Sequence, residues 1–227
     1  MIFRSACREA LGAPALAMAA TFMAFGAAVQ AAGLGMGWGL AAGQLVYGMP
    51  GQMVLLAAVG APGGALPAVL GAVAANARFL PMAVALGPWL GPHVRLRFLA
   101  MPFIAVTPWA MAMRRLPDLP PADRLAWFLG FALTSWTVAG LSTWLGHLVA
   151  PVLDGWILAA LLFVNPLYFG TILAGDTRFA PARRAVLCGA VATPLVLLLP
   201  ASWALLGAGL VGGTVAFLWG QAKERRP

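Results

Sequence analysis

ALGAPALAMAATFMAFGAAVQAAGLGMGWGLAAGQLVYGMPGQMVLLAAVGAPGGALPAVLGAVAANA, residues 10–77, runs for 68 residues without one Asp, Glu, Lys or Arg. A helix that crosses a bilayer needs about 20 apolar residues, so this stretch alone has room for three. The bias persists outward from it. The chain of 227 residues is 62% hydrophobic and only 9% charged, against about 25% charged in a soluble domain. This excludes a water-soluble enzyme, and also a disordered chain, which needs low hydrophobicity. The apolar stretches are continuous, unlike the alternating ~10-residue segments of a membrane barrel. The fold class is therefore all-α: a polytopic transmembrane helical bundle, in one domain over residues 1–227.

Eight segments are apolar enough to count, at residues 10–32, 38–60, 66–90, 98–113, 125–149, 156–174, 185–199 and 203–219. The fourth and seventh are short, so seven spans or a re-entrant segment also fit. The first imitates a signal peptide, with Arg4 and Arg8 before it. Its 23 residues exceed the usual 7–15-residue signal core, so it is read as a retained helix. The net charge of +8 comes from 14 Lys+Arg against 6 Asp+Glu. The bases sit in short clusters between apolar segments, with no stripe for nucleic acid. With the N-terminus inside, the clusters at Arg4 and Arg8, at Arg114, Arg115 and Arg124, at Arg178, Arg183 and Arg184, and at Lys223, Arg225 and Arg226 all face the cytoplasm. Only Arg95 and Arg97 face outward. That asymmetry obeys the positive-inside rule and puts both termini in the cytoplasm. Thirteen Arg against one Lys, with abundant Ala and Gly, suits a GC-rich bacterial genome and hence the bacterial inner membrane. Cys7 and Cys188 read as small apolar residues.

Three segments break the rules for backbone in lipid, where irregular chain is tolerated only when it is packed in protein or lines a cavity. The second reads GQLVYGMPGQM over 43–53. Pro50 lacks the N–H that would cap the Val46 carbonyl, Gly48 and Gly51 make unwinding cheap, and Tyr47 and Gln52 bring polar groups. Either a discontinuous helix offers free backbone to a small solute, as in many transporters, or the proline only kinks the span. The third segment carries Asn76 and Arg78, with Arg78 near the bilayer midplane and Pro81 releasing the carbonyl of Ala77. A central Arg costs roughly 2.5–3.5 kcal/mol on insertion scales. Its planar fork matches a carboxylate, so Arg78 either holds a substrate carboxylate or bonds freed carbonyls as scaffold. The sixth segment repeats the theme with Asn165, Pro166 and Tyr168. Tyr47, Gly48, Pro50, Gly51, Gln52, Asn76, Arg78, Asn165 and Pro166 are thus the candidate substrate-binding residues. Thr134, Ser135 and Thr137 in the fifth segment are hydroxyls that bond helix backbone or ligand.

The single Lys, Lys223, leaves no phosphate-loop motif, and neither H-E-x-x-H nor G-x-S-x-G occurs. No enzyme chemistry, metal or cofactor is expected. No carboxylate lies within a segment, since Asp154 and Asp176 flank the sixth.

VYGMPGQM (46–53), NARFLPMAVALGPWL (76–90), SWTVAGLSTWLG (135–146) and FVNPLYFGTIL (163–173) together resemble the AzlC family of branched-chain amino acid permeases, in order and spacing, along nearly the whole chain. The resemblance implies an exporter of neutral amino acids such as leucine, isoleucine and valine, working with a small membrane partner of the AzlD type. Gln52, Asn76 and Arg78 carry over. Met49, Pro50 and Gly51 stand where the family has a Gly-Ser-Ala-like run, and Phe79 stands where it often has His. An exporter of another small polar solute, or a non-transporting membrane subunit, would share the apolar helices. The subunit reading leaves the midplane Arg and the three proline breaks unaccounted for.

Overall fold

The computed structural model describes residues 1–59, 64–92, 94–196 and 201–224. The expected segment ends at 60 and 199, His93, Arg225 and Arg226 lie outside the described residues. Among the described residues every regular element is helical. Among the described residues twelve α-helices stand where eight segments are expected: one leads the first segment, and breaks divide three others in two. α1 (Ile2–Ala10) is a short leading helix that packs on α9 through Ala6. Leu11 and Gly12 separate it from α2 (Ala13–Ala31), with Pro14 in the first turn, where its missing N–H costs nothing.

The expected second span is two helices, α3 (Met36–Leu45) and α4 (Met49–Ala58). The third is α5 (Ala65–Asn76) and α6 (Phe79–Leu86), bent by 45° when α6 is taken with its 3₁₀ extension to Leu90. The fourth is not one continuous helix. Residues 94–115 form α7 (Val94–Ala100), a 3₁₀ turn around Pro102 and α8 (Val106–Arg115). The fifth is α9 (Pro121–Val149), the longest helix. The sixth is α10 (Gly155–Asp176), which runs through Pro166 unbroken. The expectation that the sixth segment is broken is therefore corrected: one missing N–H kinks a helix but here does not end it. α11 (Ala180–Val196) and α12 (Ala201–Glu224) pack on each other. By length and hydropathy three described helices can cross a membrane, with a fourth if the α5–α6 pair is one span.

α9 is the axis. Trp127, Phe128 and Phe131 fill one end of the core with Leu86, Leu90 and Leu116. Ala139 meets Met18, Phe22 and Tyr47 midway. Beyond that level α2 crosses α9 with almost nothing between them. A Cβ on Gly26 would strike the Thr143 carbonyl oxygen, and one on Gly146 would strike the Met23 carbonyl oxygen. Small residues allow such approach, which is how membrane helices pack without a hydrophobic driving force. Leu80, Val84, Phe163, Leu167 and Phe217 stand exposed, as side chains facing lipid do.

Candidate functional site

The break between α3 and α4 is three residues, 46–48. Tyr47 turns it with φ 32, the one positive φ outside glycine among the described residues, a strained conformation for a bulky residue. Pro50 does not interrupt a helix; it sits in the first turn of α4. One side chain, Asn76 at the end of α5, closes the gap. Its Nδ2 donates to the Val46 carbonyl at 3.3 Å, and its Oδ1 accepts from the Gly51 N–H at 3.3 Å. Gly48 and Gly51 are small for this reason, since a Cβ on either would collide with the Asn76 amide. Gln52, fully buried, donates from Nε2 to the Gly43 carbonyl at 3.1 Å. Trp136 donates from Nε1 to the Gln44 carbonyl at 3.2 Å, and Gln44 returns a bond to the Trp136 carbonyl at 3.3 Å. Thr134 and Thr137 bond back to carbonyls one turn earlier in α9.

A cavity of about 540 Å³ opens beside this break, within the range of small-molecule sites. α2 gives it Met18, Thr21 and Phe22; the break gives Tyr47, Gly48 and Met49; the α5–α6 bend gives Arg78 and Phe79. Residues 105–114 contribute Trp109, Met113 and Arg114, among others, and α10 contributes Phe169, Leu173 and Asp176. The walls are mostly apolar. At one rim Arg114 meets Asp176 at 2.6 Å, tying α8 to α10. Arg78 faces no such acid. Its guanidinium lies over the Phe79 ring, 5.4 Å from the centroid, and it makes no hydrogen bond among the described residues. The Ala77 carbonyl that Pro81 releases is taken by the Leu80 N–H at 3.1 Å, so it does not serve Arg78. Three buried donors, Arg78 Nε, the Tyr47 hydroxyl and Trp109 Nε1, find no partner among the described residues, and all three side chains belong to cavity-lining residues. Buried polar groups are normally paired.

A sequence model of the family described as AzlC protein matches residues 14–153, more than half of the chain. The chain belongs to the AzlC family. No curated protein and no solved structure matches it. The matched region of this AzlC chain holds the break, the bend, α8 and α9. The α10 wall of the cavity lies beyond it. Family and apolar helices together make it a membrane protein.

Of the candidate residues, Tyr47, Gly48 and Arg78 line the cavity. Pro50, Gly51, Gln52 and Asn76 do not; they hold the break that shapes it. Pro166 is exposed on α10, away from the cavity lining, and the side chain of Asn165 lies outside the described residues. Two further lining residues, Trp109 and Asp176, are not among the candidate residues. The proline beside Trp109 in VTPW (106–109) is the one local sign that this stretch is special.

Proposed function

We propose that this AzlC chain is a transporter that exports neutral, branched-chain-type amino acids, as the large subunit beside a small AzlD-type membrane protein. The observation that carries the reading is the cavity with Arg78 at its wall. An unpaired guanidinium is costly among apolar side chains unless something compensates it, and an amino acid brings a carboxylate that fits its fork. The apolar walls would then take the side chain with loose selectivity, because one methylene is worth only about 1–3 kcal/mol.

Efflux from dipeptide-loaded cells tests this. Cells expressing the gene are expected to hold several-fold less of at least one of leucine, isoleucine, valine or methionine than cells lacking it. Equal accumulation of every neutral amino acid would refute export.

The proposed orientation in the bacterial inner membrane has both termini in the cytoplasm, supported by the clustering of bases. Reporter fusions at Pro121 and Pro181 are expected to read cytoplasmic and a fusion at Pro151 external. A periplasmic signal at Pro121 would overturn that map.

A further inference from the structure

The cavity is rich in hydrogen-bond donors and poor in acceptors. A broken helix usually leaves carbonyls at its C-terminal end, and these could receive a cation. At the end of α3 three of these carbonyls are already used. The Gly43 carbonyl accepts from Gln52, the Gln44 carbonyl from Trp136 and the Val46 carbonyl from Asn76. Asp176, the only acid among the described lining residues, has its Oδ2 2.6 Å from Arg114 Nη2. The hydroxyls of Thr21, Thr107 and Tyr47 remain, and a neutral hydroxyl is a weaker acceptor than an ionised group. On the donor side stand Arg78, the Tyr47 hydroxyl and Trp109 Nε1, the last two without partners among the described residues. Tyr47 is only 3% exposed. Two arginines against one aspartate leave the lining with a formal surplus of one positive charge.

An α-ammonium entering this site would give up water without gaining an unpaired ionised acceptor, and would add to an existing positive charge. A carboxylate would meet the guanidinium and offset the surplus. A keto or hydroxyl oxygen in place of the ammonium could accept from Tyr47 or Trp109. We propose that the cavity recognises its solute through the carboxylate alone. Apolar monocarboxylates that lack the ammonium, the branched α-keto and α-hydroxy acids, then share the site with amino acids. This rests on the transporter reading but does not restate it, because the substrate class is wider and the ammonium has no role.

The test is competition on the purified full chain in lipid nanodiscs, with three probes: leucine, its α-keto analogue, and isoamylamine, which keeps the ammonium and loses the carboxylate. The α-keto analogue is expected to bind at least as tightly as leucine and to displace it. Isoamylamine is expected to displace nothing at a hundredfold excess. Leucine bound tenfold or more tightly than the α-keto analogue would overturn the inference while leaving amino-acid transport standing. The α-keto analogue bound without leucine would remove the amino-acid reading and overturn the shared site, because the ammonium would then be excluded. Neither bound by protein that still melts cooperatively would sink both.

Discussion

Arg78→Gln is expected to lose solute binding by roughly 30- to 1,000-fold while the protein remains folded. The size follows from the contact at stake. Removing one partner of a buried, charge-assisted pair costs about 2–4 kcal/mol, and each 1.4 kcal/mol is about tenfold. Retained folding follows from the surroundings. Among the described residues Arg78 makes no hydrogen bond, and its ring contact is with its own neighbour Phe79. No network collapses when the guanidinium goes. Arg78→Lys keeps the charge but not the fork, and should fall between the two, about tenfold weaker than the parent. Equilibrium binding on purified protein, with thermal melting beside it, separates the outcomes. Undiminished affinity in Arg78→Gln would take Arg78 out of the site. A collapse in melting temperature would make it scaffold.

Asn76→Ala is expected to be the most damaging change at a residue outside the cavity lining. It removes both bonds across the break at once and leaves the Val46 carbonyl and the Gly51 N–H without their partner. An unsatisfied buried group costs about 1–3 kcal/mol, so two amount to roughly 2–6 kcal/mol before water or lipid disorder relieves them. Asn76→Asp keeps an acceptor for Gly51 but turns an anionic oxygen toward the Val46 carbonyl, and should recover only part of the loss. Melting in detergent and solute binding should fall together in both variants. An Asn76→Ala protein that melts like the parent would show that the break is held by something other than this amide.

The features that sequence exposed are those that offend a local rule. A 68-residue uncharged run, an Arg at mid-depth and Gly-Pro-Gly spacing in GMPG (48–51) are all visible along the chain. What makes the break stable is not local. Asn76 lies 25 residues from Gly51 and 30 from Val46, and nothing in GQLVYGMPGQM announces it. The same distinction explains Pro166. NPLY (165–168) looks as disruptive as YGMP (47–50), yet α10 continues through it. Proline tells where a helix can open; a distant cap decides whether it does. Trp109 was hidden because it is one of nine tryptophans, and cavity lining is a tertiary property. The span count suffered for a related reason. Hydropathy integrates over about 20 residues, whereas turns at 46–48, 77–78 and 101–105 divide the chain on a finer scale.

Two helices that meet through side chains can slide, because rotamers absorb the displacement. α2 and α9 meet at Gly26 and Gly146 with peptide backbone against peptide backbone, and peptide planes have no rotamers. That pair has no slack. Met18, Thr21 and Phe22 stand on it, so one wall of the cavity is stiff. Another wall, Phe169 and Leu173, stands on α10, which packs on α2 and where Gly170 and Gly175 have open space in place of a Cβ neighbour. A bulkier solute meets rigid backbone behind the α2 side, and on the α10 side it meets the Arg114–Asp176 bridge that ties α10 to α8.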